Sequence, residues 1–191
     1  MPEGFAWISL EYNDYGNHAR VSEYRQACAA EGVIFTIWMT RNFTAAQALQ
    51  ACVESQCQGF LAEGEIPAEN APGTPNPQAQ NWPELIFALK DLPIAKGVVT
   101  NFAPFLHHNG APNRDISQPL VDAGWSCHTE CYDRFGDPTT WIDGSDWFAK
   151  THLGWKRTQP AVGLFAGRTW NDFPQFDQYA NGSVWAAEYL I

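Results

Sequence analysis

The sequence predicts an α/β fold, a compact (β/α) TIM-like barrel of seven or eight parallel strands occupying residues 1–191 as a single domain. An open doubly wound sheet is the alternative. Three observations carry this reading. Strand-like and helix-like stretches alternate from end to end, and strand starts recur at roughly 22 to 38 residues, the interval of a βαβ unit. The strand-like runs are apolar enough to be covered by helices, as parallel strands are. Lastly, Glu11, Arg41, Glu65, Asn101, Glu130, Arg168 and Glu188 all fall at or near the C-terminal end of a predicted strand. A barrel brings those ends to one mouth, where active sites are built; an open sheet spreads them along an edge. No glycine-rich phosphate loop follows the first strand, which argues against a nucleotide-binding doubly wound sheet.

Each element has a local reason. Phe5 to Glu11 is the first strand, with Trp7, Ser9 and Glu11 on one face and Ala6, Ile8 and Leu10 on the other. His18 to Glu31 is an amphipathic helix burying Val21, Tyr24 and Cys28 and stopped by Gly32. Val33 to Thr40 is the second strand. Thr44-Ala-Ala-Gln47 is a capping box opening a helix to Gln56, which is expected to bury Leu49, Cys52 and Val53. Gly59 to Ala62 is the third strand, and the long Pro/Gly/Asn loop from Ala68 to Gln80 is a flap or a variable insertion. Asn81-Trp-Pro-Glu84 opens a helix to Asp91 that buries Leu85, Ile86 and Leu89. The remaining strands are Lys96 to Phe102, Trp125 to Tyr132, Ala161 to Ala166 and Ser183 to Leu190, and an eighth is sought near Trp155. Between them, Asp115 to Gly124 and Ser145 to Leu153 read as helices, Asp137 to Gly144 as turns, and Asn171 to Tyr179 as weakly helical.

The chain is organised around Cys57-Gln-Gly-Phe-Leu-Ala-Glu-Gly-Glu-Ile-Pro67. Alternation puts Leu61, Glu63 and Glu65 on one face and Phe60, Ala62 and Gly64 on the other. Gly64 lets the backbone pass close to a neighbour, and Pro67 ends the pairing. Two acids at the end of an apolar strand are costly unless paired, hydrated or used.

Composition excludes several classes. The formal charge of −10 argues against nucleic acid or an anionic membrane, so neither is expected as a partner. No apolar run reaches membrane-spanning length, and Met1-Pro-Glu-Gly-Phe-Ala-Trp7 lacks the regions of a signal peptide, so a soluble chain without an export signal is expected. The five cysteines fit no zinc spacing and read as small core residues of a reducing compartment. No Gly-x-Ser-x-Gly is present. His128-Thr-Glu130, with His107 and His108, fits known metal-ligand sets poorly, and no metal or other cofactor is expected.

The carboxylates carry the chemistry. Glycoside hydrolysis needs one acid to protonate the leaving oxygen and a second as nucleophile or base. Glu65 and Glu130 are the expected pair, facing each other across Asn101, with Glu63 supporting them. If the last strand closes on the first, Glu188 neighbours Glu11. Asn101, Arg168, Glu11, Glu188, His128 and Tyr132 are the expected substrate contacts, His128 as a hydrogen-bonded partner of Glu130. Trp82, Trp141, Trp147, Trp155 and Trp170, with Tyr12, Tyr15 and Tyr132, offer flat rings for stacking on sugars, although helix-to-strand packing accounts for most of the tryptophans. The competing account is that the acids pair with Arg41 and Arg168 and fill a polar barrel mouth.

Phe60-Leu-Ala-Glu-Gly-Glu65, with the acidic ends of the first and last strands, resembles the acid-x-acid strand end of the family-25 lysozymes. More broadly, the chain resembles the small glycoside-hydrolase-like (β/α) barrels of bacterial and bacteriophage lysins and phage tail proteins. It departs from the family in having Glu-Gly-Glu for Asp-x-Glu, on the third predicted strand. The resemblance implies a glycosidase-type hydrolase, or a glycosidase-like barrel, acting on or binding polysaccharide or peptidoglycan. The other reading it implies is a non-catalytic structural or adhesion module of a virion, with carbohydrate and other virion or surface proteins as partners.

Overall fold

The computed structural model describes residues 5–12, 20–39, 43–64, 69–71, 74–75, 80–100, 105–106, 109–130, 138–163 and 182–186. The elements run β1 (Phe5–Glu11), α1 (Val21–Glu31), β2 (Ile34–Met39), α2 (Ala45–Ser55), β3 (Gly59–Glu63), β4 (Glu69–Ala71), β5 (Thr74–Pro75), α3 (Trp82–Leu89), β6 (Ala95–Thr100), α4 (Arg114–Asp122), β7 (Ser126–Glu130), α5 (Pro138–Thr151), β8 (Thr158–Gly163) and β9 (Gly182–Ala186). All strands but β4 and β5 join one curled parallel sheet in the order β1-β2-β3-β6-β7-β8-β9. Its registers include Glu11↔Trp38, Trp38↔Leu61, Glu63↔Val99 and Val99↔His128. β9 pairs with β8 at Ala161↔Ser183 and with β1 at Trp7↔Ser183. β4 and β5 form a small antiparallel pair inside the stretch expected to be loop.

The helix boundaries follow local chemistry. Thr44 Oγ1 accepts from the Gln47 N–H at 3.2 Å while Gln47 Oε1 accepts from the Thr44 N–H at 2.7 Å, completing the capping box. Asn81 accepts from the Glu84 N–H at 3.2 Å and starts α3. Gly32 ends α1 at φ 68°, a left-handed position where a side chain is strained. At the far end of α5, the Arg114 guanidinium donates to the carbonyls of His152 and Thr151 at 2.7 and 2.9 Å. It thereby satisfies carbonyls that a helix C-terminus leaves open and places positive charge at the negative end of its dipole.

Three expectations are corrected. α5 begins at Pro138, inside the stretch read as turns, because proline is pre-organised for the first turn of a helix. Trp155 belongs to no strand; it is buried in the segment that links α5 to β8, and its backbone N–H donates to the Ala149 carbonyl at 3.0 Å. Val53 is exposed, and α2 turns Ala45, Ala48, Ala51 and Cys52 to the core, so small side chains let the helix approach the sheet. The predicted helix at 171–179 lies outside the described residues.

Strand alternation sorts the interior into two layers. Ile8, Leu10, Phe35, Ile37, Phe60, Ala62, Val98 and Cys127 form the core shared with the helices. On the other, concave face, Trp7, Trp38, Leu61, Val99 and Ala161 form a separate cluster. The sequence periodicity already paired these residues by face; the helices decide which face they cover. Four cysteines, Cys28, Cys52, Cys57 and Cys127, are buried with free thiols. Burial pushes the Cys28 thiol up to about 11 and the Cys127 thiol further up, which suppresses the thiolate that nucleophilic chemistry needs. Cys131 lies outside the described residues.

Candidate active site at the C-terminal edge of the sheet

Glu11 ends β1 and Glu63 ends β3, and both are buried, at 2% and 8% exposure. β2 lies between them. Glu11 is the register partner of Trp38, and Trp38 is the partner of Leu61, two residues before Glu63. The two acids therefore flank one strand, displaced by two strand spacings of about 4.8 Å and by two residues of about 3.3 Å along the strand, so that their backbones are about 12 Å apart. Beneath them lies the apolar cluster of Trp7, Trp38, Leu61 and Val99. Such a floor raises the cost of charge and strengthens whatever polar interaction the acids make.

Gly64 holds the end of β3 in place. Its N–H donates to the Val99 carbonyl at 2.7 Å, and a Cβ there would lie 2.5 Å from Val98 Cγ1, 2.8 Å from Thr100 Cβ and 2.8 Å from the Val99 oxygen. One of those neighbours is backbone, so the clash has no cheap escape. Gly64→Ala is expected to cost about 1–3 kcal/mol, as overpacking does. The midpoint of urea unfolding would report it, and an unchanged midpoint would show that β6 yields.

His128 lies deeper on the same face. It is fully buried, its ring 4.9 Å from that of Trp7 and tilted by 55°. Room for it comes from Gly97, where a Cβ would meet His128 Nε2 at 2.6 Å. His128 Nε2 is 2.7 Å from Ser126 Oγ, and that hydroxyl donates to the Lys96 carbonyl at 3.2 Å. With the serine proton so used, Nε2 carries the ring hydrogen and donates to Ser126. Burial pulls the imidazole down to about 3, so it is neutral across the ordinary pH range.

Of the residues the sequence nominated, the structure brings Glu11 and Glu63 to one edge and encloses His128 beneath it. Glu130 ends β7, and its side chain lies outside the described residues. Glu65, Asn101, Tyr132, Arg168 and Glu188 also lie outside them, as do Arg41, Tyr15, His107 and His108. Among the aromatics, Tyr12 is corrected as a cleft residue, while Trp82 and Trp155 follow the packing account expected of most tryptophans. The Tyr12 hydroxyl donates to Glu54 of α2 at 3.3 Å, because Tyr12 continues the alternation of Ile8 and Leu10 on the helix-covered side. Trp82 and Trp155 are buried in that same core, Trp82 stacked on Phe105 with ring centroids 6.3 Å apart. Trp147 is exposed and stands edge-on to His152, and the Trp141 side chain and Trp170 lie outside the described residues. The ring beside the acids is that of Trp38, with Trp7 four residues below Glu11 at the start of β1. Trp7 was legible from its alternation with Glu11; Trp38 needed the register of β2 against β1. Among the described residues, no three His, Cys, Asp or Glu side chains are placed to hold a metal ion. No described helix is long and apolar enough to cross a membrane.

No protein-family model matches the sequence, and no curated protein matches it. Solved structures similar to the chain include the enoyl reductase domain of MlnA from the macrolactin biosynthesis cluster of Bacillus amyloliquefaciens, at 9% identity and a TM-score of 0.47, covering 97% of this chain and 53% of that one. The chain thus spans about half the length of that domain. An HpcH/HpaI aldolase from Desulfitobacterium hafniense DCB-2 has 11% identity and a TM-score of 0.49, over 97% of this chain and 87% of its own. The 3-keto-D-glucoside 4-epimerase YcjR from E. coli has 12% identity and a TM-score of 0.45, over 96% and 79%.

Proposed function

We propose that the chain is a (β/α)-barrel hydrolase of the glycosidase kind, acting on a polysaccharide or peptidoglycan through carboxylates at the C-terminal ends of its strands. The observation that carries this reading is the burial of Glu11 and Glu63 together at one edge of the sheet, over an apolar floor. Charged acids are rarely enclosed there without a use.

The strand registers support the complete barrel. The path from Glu11 runs through Trp38, Leu61, Gly97 and Ser126, climbs two residues to His128 and Gln159, and climbs two more to Ala161 and Ser183. It returns at Trp7, four residues below its start, so with four climbed the offset is eight. A shear of about eight is that of the (β/α) barrels, whose interior layers are built from alternate strands. Glu11, Glu63 and Glu130 sit on alternate strands, each two register steps above the last, and so fall in one layer of such a barrel. Glu65 follows two residues beyond Glu63. In this reading one carboxyl group protonates the leaving oxygen and another acts as the nucleophile or as the base that activates water.

The test is hydrolysis of isolated peptidoglycan sacculi and of a panel of soluble polysaccharides, followed by the release of reducing ends. Release of reducing ends is the expected result, and NMR of the fresh product at the anomeric carbon tells retention from inversion. No release from any member of the panel would remove the hydrolytic reading.

A further inference from the structure

The N-terminal edge of the sheet, opposite the carboxylates, carries a second feature. A cavity of about 580 Å³ opens there among the starts of β6, β7 and β8. Its wall holds Lys96, Lys150, Lys156 and Arg157, four of the eleven lysines and arginines of a chain whose net charge is −10, and among the described residues no carboxylate lines it. Lys150 is committed, its ammonium 2.8 Å from Asp146. Lys96 is partly buried and donates to the Leu92 carbonyl at 2.8 Å. Among the described residues no carboxylate lies within ion-pair distance of Lys96, Lys156 or Arg157. On the same wall, Gln159 Oε1 is buried and meets no donor among the described residues. Trp7 and Ile94 supply an apolar side.

We propose that this cavity is a second binding site, separate from the carboxylate edge, for a small ligand carrying a phosphate-type polyanion. Three cationic side chains with no carboxylate partner among the described residues line one concavity, and like charges gathered in this way repel one another unless an anion joins them. A group with two or more negative charges answers three cations better than a single carboxylate does, and arginine offers it a two-pronged hydrogen bond. The volume is that of a small-molecule pocket. The acidic charge of the rest of the chain favours a compact anion over a nucleic acid, whose flanking phosphates would extend beyond the basic wall. Burial pulls the Lys96 ammonium down, a cost that a bound anion offsets. This inference does not depend on the hydrolytic reading.

The experiment is calorimetric titration of the whole chain with inorganic pyrophosphate at low salt, repeated with Lys156→Glu/Arg157→Glu and with Lys90→Glu. All three positions are exposed, and Lys90 does not line the cavity. Saturable binding that weakens at least tenfold in the double variant and stays within twofold in Lys90→Glu is the expected result. Absence of binding to the wild type, or equal weakening in both variants, would overturn the proposal, since the second outcome reports bulk charge alone. If the reversed pair fails to fold, Lys156→Ala/Arg157→Ala decides by the same criterion.

Discussion

Replacing Glu63 with glutamine is expected to lower hydrolytic turnover by about 100-fold or more while the protein still folds. Loss of a general acid or base typically removes a factor of about 10²–10⁴, and 100-fold corresponds to about 2.7 kcal/mol of transition-state stabilisation. The amide keeps the size of the carboxyl group beside the apolar cluster of Leu61 and Val99 and removes its ionisable proton. Glu11→Gln should fall comparably. The double substitution should fall little further, because residues acting as one unit are not additive. A Glu63→Gln protein with full turnover would take Glu63 out of the chemistry and leave Glu65 and Glu130 as the acids to test.

The second large effect is on stability and comes from His128. Its folded-state value of about 3 lies below the 6.5 of an ordinary histidine, because the imidazole is wholly buried. The sign follows directly. Above pH 6.5 both folded and unfolded forms are neutral at this site, and its contribution to stability is fully present. Below pH 6.5 the unfolded chain takes up a proton that the folded chain refuses, and stability is lost until the pH reaches about 3. The slope approaches about 1.4 kcal/mol per pH unit, so lowering the pH from 7 to 5 should cost about 2 kcal/mol through this residue alone. Urea unfolding of the wild type and of His128→Gln at the two pH values measures it. The variant should be less stable at pH 7, having lost the contact with Trp7, but should lose less on acidification. Equal acid losses in both proteins would mean that His128 is protonated in the folded chain.

Much of the fold was legible because its determinants are local. The Thr44 capping box, the Asn81 cap and the Gly32 stop each act within a few residues, and the strands of the concave face keep a two-residue alternation. Where the structure departs from these local signals, a non-local partner intervenes. Val53 reads as a core residue by hydrophobicity, yet α2 packs through its alanines, and only contact with the sheet selects that face. Tyr12 reads as a cleft residue from its position after β1, but its hydroxyl answers Glu54 on another helix.

The sequence by itself determined that strands and helices alternate, that Glu11 and Glu63 end strands, and which residues share a face with them. Period and capping are properties of the chain within a turn or two. Only the tertiary structure decided that Trp38 lies between the two acids, that His128 is enclosed and neutral, and that Lys96, Lys156 and Arg157 meet at one cavity. Each of these depends on the register between strands and on which face the helices cover. Both are fixed by pairing and burial between segments distant along the chain.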